Sequence, residues 1–406
     1  MRPLPILYFI FGTGIRPCGS IASGIGRTKT PRDRRAYRGS IPHRSGREAL
    51  RSVFIVLLVL GGLAGCGAEA PDTLHYSGAT MGTYYSVKVT RRISDVAAGK
   101  EPHTSVVPLA EPLAKQLEKD IGLILAEVGQ TMSTYRADSE LSRFNASTST
   151  DWYPVSQDLY TVVHEALAVS RLTDGAFDIT VGPLVNLWGF GPPENPEDTR
   201  TVPTEADLRA IRARVGYRKL ATRATPPALR KEHPALYLDL SAIAKGFAVD
   251  KIAARLEGHG VVNYLVDIGG ELRARGGNAQ GGPWRVAIEK PISGEREIHR
   301  IIAVDNHAVA TSGDYRNFFE RDGKRYSHTI DPKTGKPVTH TLVSVTVLHP
   351  QAMRADALAT ALSVLGPEAG YRFAERENIP VWLISKTETG FQDRGTRGFA
   401  DMLIRD

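Results

Sequence analysis

The chain has 406 residues, 23% of them charged and 42% hydrophobic, which is the balance of a folded body big enough for one large domain or two ordinary ones. The net charge of +7 is uneven: residues 1–51 carry 11 Lys/Arg and 2 Asp/Glu, a net +9, and the remainder sums to −2. The body has no basic run interleaved with aromatics, so nucleic acid is not an expected partner. Its only cysteines, Cys18 and Cys66, precede that body, which excludes a disulfide framework or a thiolate metal site there.

Arg47 and Arg51 stand before the apolar run Val53–Leu60, which ends in Gly61-Gly62-Leu63-Ala64-Gly65-Cys66. A positive region, a short apolar region and small residues, in that order, read as a leader. The run is too short for a membrane span. Leu63-Ala64-Gly65-Cys66 resembles the lipobox of bacterial lipoproteins. That resemblance implies acylation of Cys66 and a lipid-anchored protein facing the periplasm from a bacterial cell-envelope membrane. Residues 1–45 are Arg-, Gly- and Ser-rich without hydrophobic periodicity, and no Met lies between Met1 and Met81. Translation is therefore expected to start near residues 46–53; peptides from residues 1–40 in the cellular protein would refute this. Residues 1–66 are set aside as extension and removed leader, 67–78 as a tether, and 79–406 as the domain.

In the domain, the alternation across Ala79–Val89 predicts a strand with Met81 and Gly82 near its start. Leu113, Leu117, Ile121, Ile124, Leu125 and Val128 mark one face of a helix from Leu109 to Met132. Ser139 is placed to cap a short helix. A second helix spans Asp158–Leu172, with Gly175 as its C-terminal cap. Residues 192–203 and 222–234 read as polar loops around a short helix from Glu205 to Val215. Strands follow at Leu236–Leu240, Tyr264–Asp267, Glu271–Arg275 and Trp284–Glu289, and then a hairpin of Ile301–Val304 with Ala308–Thr311. Tyr326–Ile330 is a strand running into a turn at Asp331–Gly335. Leu342–Leu348 and Val381–Ile384 are strands, and Ala352–Leu365 and Gly370–Glu377 are helices. Hairpin-like groups separated by helix pairs predict α+β, with largely antiparallel sheets and packed helices.

One stretch concentrates chemistry: Leu238-Asp239-Leu240-Ser241-Ala242-Ile243-Ala244-Lys245-Gly246-Phe247-Ala248-Val249-Asp250. A helix start beside Lys245 is a natural seat for phosphate. An ordinary junction with Ser241 as N-cap explains the same residues equally well. Asp356 and Thr360 are four apart on one helix face, and a carboxylate with a hydroxyl suits a hard cation or a local hydrogen bond. His328, ahead of a turn, has the residue type of a general base, or is a hydrogen-bonded structural histidine. Tyr135, beside a loop, can stack on a flat ring or close a core edge. No G-x-G-x-x-G follows a strand and no G-x-x-x-x-G-K-[ST] occurs, so neither a Rossmann nor a Walker site is expected.

Together these segments do more. Met81-Gly82-Thr83, Met132–Arg136 with Ser139, Asp174–Val181, Asp239–Gly246, Asp267–Gly270, Ser327–Pro332 and Ala355–Ala361 resemble, in order, the motifs of the ApbE family, the FAD:protein FMN transferases. The resemblance spans about Thr80–Gly366 and leaves 192–234 unmatched. It implies an ApbE-like (T-fold-like) architecture and Mg²⁺-dependent transfer of FMN from FAD to a Thr or Ser hydroxyl of a periplasm-facing flavoprotein, releasing AMP. It also implies roles: Asp356, Thr360 and the Ala242 carbonyl as metal ligands, and His328 as base. Met81, Tyr135, Ala176, Phe177, Asp178, Asp239, Lys245, Ile330 and the segment around Ala359 are then contacts to FAD. Some family members carry an acid where Ala359 stands. FAD hydrolysis to FMN and AMP, or FAD binding without catalysis, are the alternatives.

Overall fold

The computed structural model describes residues 73–90, 111–192, 202–292, 294, 297–313 and 317–404. The extension, the leader with Cys66 and the first part of the expected tether lie outside the described residues. The tether is also shorter than expected. Thr73–Thr80 is a strand, β1, paired antiparallel to β2 (Thr83–Thr90). The single predicted strand is thus a hairpin, and Met81-Gly82 is its two-residue turn. Both take positive φ, 46° and 70°, as a turn matched to strand twist requires.

The hairpin opens an eight-stranded sheet. Its other strands are β3 (Tyr264–Ile268), β4 (Glu271–Arg275), β5 (His307–Gly313), β6 (Leu342–His349), β7 (Val381–Thr387) and β8 (Gly390–Gly395). They stand side by side in chain order, every pair antiparallel. Side chains alternate between two cores, as the pleat dictates. Val266, Ala308, Ala310 and Leu383 face the helices, whereas Leu265, Val309 and Ile384 face a separate ribbon of Trp284–Glu289 with Ile298–Val304. A bulge between Leu342 and Ser344 lets Val343 and Val345, two apart, serve opposite cores. The predicted hairpin of 301–304 with 308–311 is therefore two strands in different sheets, since β5 pairs with β4 and β6.

Four long helices cover the inner face: α1 (Glu111–Met132), α2 (Gln157–Leu172), α3 (Ala244–Gly258) and α4 (Ala352–Arg376). In α1 the expected face is buried, at Leu117, Ile121, Ile124, Leu125 and Val128. Ser156 caps α2 by accepting from the Leu159 N–H. Its C-terminus closes with Asp174 N–H to Arg171 O and Gly175 N–H to Ser170 O. The left-handed residue directly after the cap is thus Asp174, at φ 48°, with Gly175 one place further. The two predicted C-terminal helices stand end to end in α4 across a break at Gly366, where the backbone leaves helical geometry at φ 78° and a side chain would strike the His340 ring; the second resumes before the expected Gly370. The loop expected at 222–234 contains a short hairpin, Leu220–Arg223 with Ala228–Lys231, and Leu236–Leu240 is extended without pairing into a sheet.

A third, smaller core joins Leu184, Trp188, Leu208, Val215 and Ile330, with Phe190, Phe319 and Tyr326 against it. It supports two short ribbons, Phe318–Arg321 with Lys324–Ser327 and Ile330–Asp331 with Lys336–Pro337. His328 lies between them.

Candidate active site

The start of α3 meets the start of α4 edge to edge. Neither helix has a side-chain cap of its own: Ile243 and Gln351 occupy the cap positions and give no side-chain bond. Each is capped by the other. Asp250 of α3 accepts from the Ala352 and Met353 N–H groups at 3.0 and 2.9 Å. Asp356 of α4 accepts from the Gly246 N–H at 3.0 Å. A carboxylate at a helix N-terminus is favoured by both the unpaired N–H groups and the dipole. The approach needs glycine at 246, because a Cβ there would lie 2.3 Å from the Ala352 carbonyl oxygen. The expected phosphate seat is thereby changed, since the Gly246 N–H is taken by a carboxylate. Ser241 is not the cap; its N–H and hydroxyl both donate to Asp239 Oδ1 at 2.8 and 2.6 Å.

Around this junction lies a cleft of about 400 Å³. Of the predicted site residues it is lined by Tyr135, Ala176, Phe177, Asp178, Asp239, Ala242, Lys245, His328, Ile330, Asp356 and Thr360. Residues more than two hundred positions apart thus converge. Met81 and Ala359 do not reach it. Met81 sits in the β1–β2 turn and packs on the main core. Asp356, Thr360 and Val364 follow the four-residue ridge of α4 that faces the cleft, which turns Ala359, 1% exposed, into the core.

The cleft floor is charged and buried. Lys245 Nζ forms an ion pair with Glu271 Oε2 and stands 4.0 Å from Asp356 Oδ1. Burial pulls the Lys245 pKa down, but the field of Asp356, Glu271 and Asp267 outweighs it and raises the group to about 12. Burial pushes Asp356 and Glu271 up, against the pull of Lys245 on both and of the Gly246 N–H on Asp356. Asp267 is pushed by burial to about 7, although the Gly270 N–H, Lys88 and Lys245 hold it back. Asp178, also raised by burial, spends its carboxylate on Thr180 N–H, Thr180 Oγ1 and Tyr217 N–H, so it braces the wall it lines.

The opposite wall holds His328. Its Nδ1 lies 3.0 Å from the Asn317 carbonyl oxygen, which can only accept. That contact places a proton on Nδ1, so in the neutral ring Nε2 is the nitrogen that can accept one. Phe190 meets the imidazole edge-on at 6.3 Å between centroids, and a chain of rings continues through Phe319 and Tyr326 to Trp188. Tyr135 is 67% exposed at the rim, placed for stacking rather than for core closure.

Sequence reasoning missed several lining residues. Glu271 follows the quoted Asp267–Gly270 motif directly, and its alternation with Leu272 in a strand was the available signal. Thr311, Ser312 and Gly313 at the end of β5, and Asn317, carry no local signal. Tyr237, hydrogen-bonded to Asn186 and Thr134, packs so closely under Gly182 that a Cβ there would lie 2.6 Å from its ring.

The donor set tests the expected cation. Asp356 gives a carboxylate 5% exposed yet on the cleft, Thr360 a hydroxyl one turn on, and Ala242 a carbonyl at the facing helix start. These are hard oxygen donors, and they fit Mg²⁺ sharing phosphate oxygens. Among the described residues no three His, Cys, Asp or Glu side chains form a metal cluster, so the donor set is one carboxylate, one hydroxyl and one carbonyl.

The charged floor, the oxygen donors and the imidazole all face one cleft. The chain belongs to the ApbE family, whose model matches residues 81–383. It is 47% identical over 358 residues to the FAD:protein FMN transferase of Vibrio cholerae, covering 88% of this chain and 100% of that one. With the Escherichia coli K12 protein of the same name it shares 40% over 340 residues, 83% and 91% of the two chains. Among solved structures it is similar to the flavin transferase ApbE from Vibrio cholerae, with a TM-score of 0.70, 46% identity, and 82% and 99% covered. The apo flavinyl transferase ApbE of Pseudomonas stutzeri gives 0.69 at 40% identity, with 81% and 96% covered.

Proposed function

We propose that this protein transfers FMN from FAD to a Thr or Ser hydroxyl of an acceptor flavoprotein, with AMP leaving. The relatives' shared name supports the reaction. The observation that carries it in this chain is one cleft holding both the Asp356–Thr360–Ala242 oxygen set and His328 in its basic tautomer. The acceptor hydroxyl oxygen attacks the flavin-side phosphorus, a P–O bond of the pyrophosphate breaks, and AMP takes the electron pair. His328 Nε2 receives the hydroxyl proton, a contribution of roughly 10²–10⁴-fold. Lys245, held by Glu271, presents a fixed positive charge to the phosphates. Tyr135 and the Ala176-Phe177 wall orient the flavin nucleotide.

Asp356, Thr360 and the Ala242 carbonyl would hold Mg²⁺. When bound, it supplies charge neutralisation of the pyrophosphate and of the departing AMP. The Leu63-Ala64-Gly65-Cys66 pattern supports lipid anchoring through Cys66 at the cell envelope, with the acceptor facing the periplasm. Cys66→Ala would then release the protein from membranes.

The deciding experiment incubates the protein with FAD, Mg²⁺ and an acceptor domain and weighs the acceptor by mass spectrometry. The expected result is the added mass of one FMN. FMN free in solution with an unmodified acceptor would replace transfer by hydrolysis, and no reaction at all would leave only binding.

A further inference from the structure

Asp250 closes the stretch that began at Leu238, yet it has no part in the chemistry above and does not line the cleft. We infer that Asp250 is the positioning residue of the metal-ligand helix: it fixes Asp356 and Thr360 relative to Ala242 and so sets the affinity of the site for a divalent cation. This rests on the metal reading of the preceding section.

The geometry is specific. Asp250 uses both carboxylate oxygens, Oδ1 for the Ala352 N–H and Oδ2 for the Met353 N–H. Two bonds to successive N–H groups fix the direction and the rotation of the first turn of α4. Asp356 is four residues beyond Ala352, one turn further on, and Thr360 one turn beyond that. A rotation of the first turn would carry both ligands with it. The carboxylate is itself held: Arg273 of β4 donates to its Oδ1 at 3.2 Å and also reaches Glu257 Oε1 at 3.4 Å. A cap drawn from the preceding residues of α4 would order one helix end and nothing else. Here the cap comes from α3, whose first turn follows Ala242. The bond from Gly246 N–H to Asp356 closes the loop in the other direction. Two helices that each cap the other have one relative placement, and the oxygen set is built across that placement.

The test measures Mn²⁺ binding to the full chain without FAD, by the loss of the free-ion paramagnetic resonance signal. Asp250→Asn keeps the side-chain shape and removes one acceptor oxygen and the charge. Its Mn²⁺ dissociation constant is expected to rise roughly 10-fold, the lower end for residues that orient metal ligands. The Mg²⁺ concentration for half-maximal transfer should rise by the same factor, with KM for FAD at saturating Mg²⁺ unchanged. If Asp250→Asn does not fold, Arg273→Met keeps both helix caps and releases the Asp250 carboxylate from Arg273; a smaller rise in the same direction is expected. A folded variant with lowered thermal stability but wild-type Mn²⁺ affinity would show a structural cap only and overturn the inference. Wild-type protein that binds no Mn²⁺ would overturn the metal reading, and this inference with it.

Discussion

The two walls of the cleft are held by different forces. The wall of Ala242, Lys245, Asp356 and Thr360 stands on two long helices that cap each other, with charges buried on the face of an eight-stranded sheet. The wall of His328 stands on ribbons of two to four residues outside that sheet, joined by ring contacts and a small core. Buried charges are worth most when they cannot move, because their interactions strengthen as water is excluded. The charged floor is therefore built from the most rigid elements of the molecule. On the proposed reading the imidazole meets a hydroxyl carried by another macromolecule, from the wall built on the short ribbons.

Breaking each wall should give different signatures. Asp356→Ala removes the proposed metal carboxylate and leaves Lys245 and the Gly246 N–H without it. FMN transfer should fall by roughly 10⁴-fold or more, with Mn²⁺ binding lost. His328→Ala should cost about 10³-fold in the transfer rate while Mn²⁺ and FAD affinities stay near wild type. If both variants lost metal binding, the walls would not be separable. Gly246→Ala adds a methyl where the helices nearly touch. It should destabilise by about 1–3 kcal/mol and weaken the metal site together with it, read by thermal melting and Mn²⁺ titration.

The smallest effect lies at the far end of α3. Asp120 of α1, 5% exposed, accepts from His259 at 2.9 Å and pairs with Arg255 at 3.3 Å. The His259 hydrogen bond, with help from Gln116 and Arg255 against burial, holds its carboxyl below the ordinary value. A depressed pKa stabilises the fold above the unfolded-state pKa, and that stability is lost as pH falls through the folded one. Asp120→Asn should therefore lower the melting temperature at pH 7, and the gap to wild type should close below about pH 4. Transfer at 25 °C should be unchanged. A gap that stayed constant with pH would mean that Asp120 acts by packing alone.

Much of this was legible in the residues. The apolar faces of α1 and α2, the Ser139 cap and most strands follow from periodicity and turn chemistry. The segments carrying Asp356, Thr360, Ala242 and His328 converge as their resemblance implied. What stayed hidden was non-local. In sequence the start of α3 offers Ser241 as a cap and the start of α4 offers none, whereas the actual caps arrive from a helix a hundred residues away. The second strand of the β1–β2 hairpin was visible and the first was absorbed into the tether, because its turn is Met81-Gly82 rather than a stronger turn pair. Met81 and Ala359 belong to matched segments, but hairpin and helix geometry turn their side chains elsewhere.

The chain-ordered sheet has a consequence for biosynthesis. Six of the seven junctions between neighbouring strands close soon after the strands are made, but β2 ends at residue 90 and β3 begins at residue 264. At roughly 5–20 residues per second, β3 follows β2 out of the ribosome by on the order of 10–30 s. For that interval the nascent hairpin has an edge of unpaired amides, and the segment that will become α1, α2 and α3 accumulates behind it. The β2–β3 closure is the longest in the sheet and the most costly in chain entropy. The two helices that define the charged floor come together only once α4 has followed, so the charged floor forms after that long closure, with only β7 and β8 of the sheet still to be made.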